Sequence, residues 1–242
     1  MTIGAFFDID GTLYRDSLMI EHFKKLVKYE VFDPNVWHSH VKITYEMWKK
    51  RRGDYDDYMM ELAALYIESL KGLNMAEIEF IADQVINLKG DSVYAFTREQ
   101  IRWHHKQGHR VFFISGSPEF LVKKMASKYK ATDHKGTTYL IDEYGHFTGN
   151  VIQMWDAESK DKAIKEFVDK YSINLEKSYA YGDTNGDFSM LSQVGNPIAI
   201  NPTSELLENI RKDERLSKKA SIIVERKDNI YKLTPDVTVI KK

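Results

Sequence analysis

Apolar residues along this chain follow two rhythms. From Ile3 to Phe7 they are nearly unbroken, and the run ends on Asp8-Ile9-Asp10-Gly11-Thr12. A short apolar run closed by a polar turn predicts a buried strand. The spacing then becomes helical. Leu18, Met19, Phe23, Leu26 and Val27 share one face. Trp37, Val41, Tyr45 and Trp48 mark a second helix that follows Pro34, runs to about Arg51 and breaks at Gly53. A third runs from about Tyr55 to Leu70. A fourth opens at Asn74, an N-cap with Glu77 three residues on, and reaches about Leu88. Beyond that point helices and strands alternate. The pattern predicts a helix over 91–107, a strand from Arg110 to Ser117, and a helix from Ser117-Pro118-Glu119 to about Tyr129. Short strands follow over 131–153, around a turn at Asp142–Gly145. A helix from Ser159 to about Tyr171, a strand Ser178–Asp183, a short helix over 187–193 and a strand Pro197–Asn201 come next. A helix Glu205–Lys212 and a last strand Ile222–Glu225 complete the series, and Thr234–Ile240 shows no assignable pattern.

Strands alternating with helices predict an α/β fold, a parallel sheet with helices on both faces. The strand-free stretch interrupts it. The expected organisation is therefore a discontinuous core, residues 1–14 and 90–242, with an inserted all-helical domain over 15–89. In such sheets ligands bind beyond the carboxyl ends of the strands. The turns richest in reactive groups, Asp8–Thr12, Ser115–Ser117 and Asp183–Asp187, all fall there.

Residues i and i+2 of an extended chain point the same way, so Asp8 and Asp10 aim at one spot, with Gly11 allowing the turn. Two carboxylates together repel unless a cation lies between them or one holds a proton. That suits a magnesium ion, with Asp8 as nucleophile on phosphorus and Asp10 as general acid and base. A plain turn, or an Asp-x-Asp holding a divalent ion on a nucleotide sugar, fits the same few residues. Ser115 and the amides of Gly116 and Ser117, beside a helix start, suit a phosphate, although an ordinary N-cap reads the same way. Lys160 opposes the dipole of the helix it opens, which local propensity does not explain and a phosphate or carboxylate partner would. A solvated lysine is the bland alternative, and Lys162 the second choice. Asp183-Thr184-Asn185-Gly186-Asp187 mimics the start of an EF-hand. Phe188 and Val194 stand where that motif needs glycine and glutamate, so the EF-hand reading fails. Asp183 is expected as a metal ligand. Asp187 is expected either to support the metal site from behind or to cap the next helix. Trp103-His104-His105 lacks a third ligand at metal spacing and reads as packing or surface.

The bulk properties narrow the partners. With 242 residues, a formal net charge of -1 and a pI near 6.7, the chain has no basic field for nucleic acid. It has no cysteine, which excludes disulfides and thiolate chemistry. Ile3–Phe7 is too short for a signal peptide, and no apolar run matches a membrane span. The expectation is a cytoplasmic protein that meets neither nucleic acid nor membrane. Its oligomeric state is not encoded in any recognisable way.

Taken together, Asp8-Ile-Asp10-Gly-Thr12, Ser115-Gly-Ser, Lys160 and Gly182-Asp183-Thr-Asn-Gly-Asp187, in that order, resemble the four motifs of the haloacid dehalogenase-like superfamily. The helical insert between the first two is similar to its phosphoserine phosphatase-like branch. The resemblance implies a Rossmann-like core with a mobile helical cap, and a magnesium-dependent phosphatase acting on a small phosphorylated metabolite through an aspartyl-phosphate. It implies a metal held by Asp8, Asp183 and the backbone carbonyl of Asp10, and a substrate phosphate held by Thr12, Ser115, Gly116 and Lys160. Where phosphoserine phosphatases carry a glutamate for the substrate amino group, this chain has Ser17, with Glu21 one turn further on. Transfer of the phosphoryl group to an alcohol, or phospho-ligand binding without catalysis, are the rival functions. An intact Asp10 speaks against the second.

Overall fold

The computed structural model describes residues 2–50, 52–53 and 55–240; Arg51, the expected end of the second helix, lies outside them. Eight strands form one sheet, β1 Gly4–Phe7, β2 Arg110–Pro118, β3 Asp133–Ile141, β4 Phe147–Ile152, β5 Tyr179–Gly182, β6 Asn196–Ile200, β7 Ser221–Arg226 and β8 Asn229–Leu233. Their order is β4-β3-β2-β1-β5-β6-β7-β8, parallel from β3 through β7 and antiparallel at both edges. The helices are α1 Leu18–Lys28, α2 Lys42–Lys49, α3 Tyr55–Leu70, α4 Met75–Lys89, α5 Ala95–Lys106, α6 Glu119–Tyr129, α7 Ala157–Tyr171, α8 Phe188–Gln193, α9 Ser204–Lys212 and α10 Leu216–Lys219, with a π-helical turn Trp37–Val41 before α2. Among the described residues no helix is long and apolar enough to cross a membrane.

The unbroken run of β1 follows from its place. It lies between β2 and β5 and is covered on both faces, so every residue of it is buried. Phe6 and Phe7 point to opposite sides and seed two cores. Phe6 stacks on Phe112 (centroids 5.2 Å apart) among side chains of α7, α8 and α9. Phe7 stacks on Tyr181 (4.1 Å) in a core that continues through α5 and α6 into α1, α3 and α4. His22 pins these last helices. Its ring nitrogens meet the Tyr66 hydroxyl (2.6 Å) and the Ile78 carbonyl (3.2 Å), and burial pushes its pKa down to about 3, so it stays neutral. The connection between α3 and α4 is tied to the β3–β4 hairpin by backbone bonds, Gly72 to Phe147 (2.8 Å) and Phe147 to Leu73 (3.0 Å). His104 is likewise a packing residue, buried against Tyr181 and His109.

Three local expectations need correction. Helix α6 starts at Glu119 with Pro118 in the cap position, and Ser117 makes no cap; its hydroxyl is drawn elsewhere. Helix α7 starts at Ala157, because Asp156 accepts the Ser159 amide (2.7 Å) and caps it earlier than Ser159 would. Strand β8 gives no sequence signal, since Ile230 and Tyr231 are both half exposed and an edge strand with neither face buried shows no alternation.

Candidate active site

The carboxyl edge of β1 sets the site. The Asp8 amide still bonds the Tyr181 carbonyl of β5 (3.0 Å), so Asp8 leaves the sheet in a fixed direction. Gly11 then turns the chain with φ +81°, and a Cβ there would lie 2.1 Å from Asp183 Oδ2. Glycine is required on both counts. On β5 a Cβ on Gly182 would lie 2.3 Å from Asp187 Cβ, so the second glycine lets Asp187 close in beneath the loop.

Asp8, Asp183 and Asp187 each place a carboxylate oxygen within 4.8 Å of the others. Lys160, 3% exposed, donates to Asp8 Oδ1 (2.8 Å) and Asp187 Oδ1 (2.5 Å). The other Asp187 oxygen accepts the amides of Asp183 (2.9 Å) and Thr184 (3.1 Å). Asp187 thus holds both Lys160 and the Asp183 loop, while its Oδ1, which accepts only from Lys160 among the described residues, keeps acceptor capacity within the three-carboxylate group. Asp183 receives the Thr12 hydroxyl at Oδ1 (2.7 Å). Thr12 is fully buried and spent on that bond, so it sits behind Asp183 and not in the cavity where a phosphate-binding role would put it.

Three carboxylates around one ammonium leave two negative charges uncompensated, which is the charge a divalent cation supplies. The donor set is all oxygen, as magnesium requires. The residues fit the ion. Without it, burial pushes Asp8 up to about 8, with Asp187 and Asp10 adding to the rise and Lys160 opposing it. Burial, Asp187 and Asp8 hold Asp183 well above the usual carboxylate range. Burial alone would lower the Lys160 ammonium, yet Asp187 and Asp8 outweigh it and keep it charged.

Asp10 is held differently. Its Oδ1 accepts the Leu18 amide (3.0 Å), and its Oδ2 accepts the hydroxyls of Ser117 (2.6 Å) and Ser17 (3.1 Å). Burial raises it to about 6 against these bonds. Ser115 is buried at the cavity edge, but its oxygen accepts the Ser117 amide (3.3 Å), which is thereby not free for a phosphate. Lys162 and Lys165 are solvated and pair with Glu158 and Asp161.

Asp8, Asp10, Ser115, Gly116, Lys160 and Asp183 thus line one cavity of about 510 Å³. Sequence reasoning named the Ser117 amide but missed its hydroxyl, taken for a cap, and missed Trp155, whose trace in the sequence is Gly116. A Cβ on that glycine would lie 2.9 Å from Trp155 Cβ. Trp48 also lines the cavity, and helical spacing could not separate its face from the packing one.

A model of the haloacid dehalogenase-like hydrolases matches residues 5–192. The chain belongs to that family. This hydrolase is 26% identical over 233 residues to a phosphoserine phosphatase of Mycobacterium tuberculosis, covering 92% of this chain and 74% of that one. It is 25% identical over 207 residues to a histidinol-phosphatase of Neisseria meningitidis, covering 84% of this chain and 91% of the relative. A solved phospho-aspartyl intermediate analogue of phosphoserine phosphatase shares the fold, with a TM-score of 0.61 at 21% identity, over 94% of this chain and 95% of that one. The hydrolase is a phosphomonoester hydrolase of the phosphoserine phosphatase-like branch.

The raised carboxyls predict how the hydrolase answers to magnesium and pH. In the unfolded chain such carboxyls ionise near 3.8. Between there and about 8 Asp8 binds more proton in the fold than in the unfolded chain, so its contribution to the stability of the metal-free protein falls as pH rises. A cation takes the protons' place, so its stabilising effect grows over the same window. At about a hundredfold excess over the dissociation constant, magnesium should raise Tm by roughly 5–10 °C at pH 8. At pH 5 the rise should be clearly smaller, and in Asp183→Asn it should vanish. Differential scanning fluorimetry checks all three.

Proposed function

We propose that this hydrolase releases phosphate from a small phosphomonoester through an aspartyl-phosphate formed on Asp8, in the presence of magnesium. The observation that carries the reading is the convergence of Asp8, Lys160 and Asp183 on one cavity, with Asp10 beside them. A phosphoryl group in transfer spreads negative charge over its oxygens, so catalysis there is mostly positioning and electrostatic stabilisation.

In the proposed cycle an Asp8 oxygen attacks phosphorus while the ester P–O bond breaks. Asp10 gives its proton to the departing alkoxide. It then takes a proton from water, which attacks the acyl-phosphate and frees Asp8 and inorganic phosphate. A carboxyl pushed up to about 6 is placed to do both near neutral pH. Lys160 fixes the Asp8 carboxylate and adds positive potential, while Ser115 and Gly116 border the phosphate side. A bound magnesium ion, held by Asp8, Asp183 and the Asp10 carbonyl, would neutralise carboxylate and phosphoryl charge together. The segment over 15–89 would act as a cap that excludes water while the ester is cleaved. Phosphate release from phenyl phosphate, with magnesium and with a chelator, tests the reading; no magnesium-dependent release would sink it.

Ser17 and Ser117 have a testable place in this cycle as positioning residues. Ser117→Ala frees one side of Asp10. Alkyl phosphates need their alkoxide protonated and 4-nitrophenyl phosphate does not, so ethyl phosphate should lose about tenfold more kcat/KM than the nitrophenyl ester. Ser117→Thr should restore most of the difference. A merely structural loss would lower both esters alike.

A further inference from the structure

The cavity continues past the carboxylates into a wall of another character. Met19 and Ala63 are buried there, Trp48, Met59 and Trp155 are half-buried, and Met60 is 55% exposed at the mouth. Part of that wall is braced from behind. Trp48 lies nearly parallel to Tyr58 (5.6 Å, 11°), and Tyr45 leans on both rings (5.9 and 5.3 Å). Trp155 approaches Gly116 so closely that a Cβ there would lie 2.9 Å from its own.

Charged lining side chains outside the group around Asp8 are two, among the described residues, and both are exposed at the rim. Arg15 lies over the Tyr94 ring (5.4 Å) and 3.7 Å from Glu225, and Asp16 accepts the Ser17 amide (3.0 Å). Hydroxyls of the lining are already engaged, those of Ser17 and Ser117 on Asp10 and that of Thr184 on Asp187. Seated against Met19, Met59 and Ala63, away from Arg15 and Asp16, an ammonium and a carboxylate would meet no charged partner among the described residues, and burying unpaired charge is costly. An apolar ring seated there gains from leaving water and from contact with thioether and indole groups.

We infer that the alcohol half of the substrate carries an apolar, ring-sized group that packs against Trp48, Met59, Met60 and Trp155, and not the charged backbone of a free amino acid. The inference rests on the phosphomonoesterase reading above. A cavity of about 510 Å³ accommodates such an ester whole.

Three alkyl esters test it: 2-phenylethyl phosphate, ethyl phosphate and O-phosphoserine. The first two share an alkyl leaving group, so their ratio reports the wall and not the chemistry. The phenylethyl ester should exceed ethyl phosphate by about 10- to 100-fold in kcat/KM, and should exceed phosphoserine as well. Met60→Gln, at an exposed position that leaves folding intact, should narrow the phenylethyl-to-ethyl ratio several-fold. The matching phosphonates cannot turn over. Followed by tryptophan fluorescence, 2-phenylethylphosphonate should bind at least about tenfold tighter than ethylphosphonate. Equal rates for the two alkyl esters, or a preference for phosphoserine, would overturn the inference and leave the phosphatase reading standing. Release from none of the three, nor from phenyl phosphate, would remove the phosphatase reading, and equal phosphonate affinities would overturn the apolar subsite whether or not the esters turn over.

Discussion

Replacing Asp8 by asparagine should lower kcat/KM for phenyl phosphate by at least about 10⁴-fold while leaving the fold intact. The amide keeps the shape and can still accept from Lys160, but its oxygen is no nucleophile toward phosphorus. Stability should not fall, because the wild-type carboxyl is itself strained by burial and lifted to about 8. Asp8→Asn should therefore melt at or above the wild-type temperature in the absence of magnesium. A rapid acid quench with labelled substrate should trap phosphate on the wild-type chain and none on the variant. Wild-type turnover in Asp8→Asn would remove the covalent route, whatever the variant's stability.

Lys160→Met should damage both activity and stability, and the two losses can be separated. The ammonium is buried between Asp8 and Asp187, and removing it leaves carboxylates facing one another. Breaking a buried ion group in this way costs about 3–5 kcal/mol. For a chain of this size that is roughly 6–20 °C in Tm. Activity should fall by about 10²–10³-fold through lost positive potential at the phosphoryl group. Adding Asp187→Asn to Lys160→Met removes the orphaned charge. The double variant should regain much of the melting temperature but not the activity. Recovery of both would mean that Lys160 serves only to hold Asp187, and that its catalytic part in the cycle is wrong.

Much of the fold is legible in order along the chain. The run Ile3–Phe7 predicts a strand buried on both faces because no polar residue interrupts it, and β1 at the middle of the sheet is such a strand. The acids at the strand ends are legible as a set. A carboxylate pair one residue apart at a strand end also suits a plain turn, and it becomes a candidate for chemistry only beside the other polar turns that fall at the same edge of the sheet. Lys160 is legible as an anomaly, a cation at the wrong end of a helix dipole, although the sequence does not say what it faces.

What the sequence could not supply is which polar group is spent on which. Ser117 looks like a helix cap because serine before Pro-Glu satisfies the local rule, yet a carboxylate from a loop 107 positions away takes its hydroxyl. Thr12 sits in a loop of reactive groups and is turned inward to Asp183. Asp187 reads in the sequence as a metal partner or a helix cap, and nothing local says that it also grips Lys160 and two amides of the Asp183 loop. Trp48 and Trp155 belong to segments far apart and meet at one cavity. The sequence by itself therefore determined most of the elements, their order and the residue types gathered at the candidate site, because those depend on local periodicity and on the spacing of a few side chains. The tertiary structure alone decided the pairing of hydroxyls, ammonium and carboxylates, and the apolar wall opposite them. Each of those is a contact between distant segments, fixed only once the sheet brings its strand ends together.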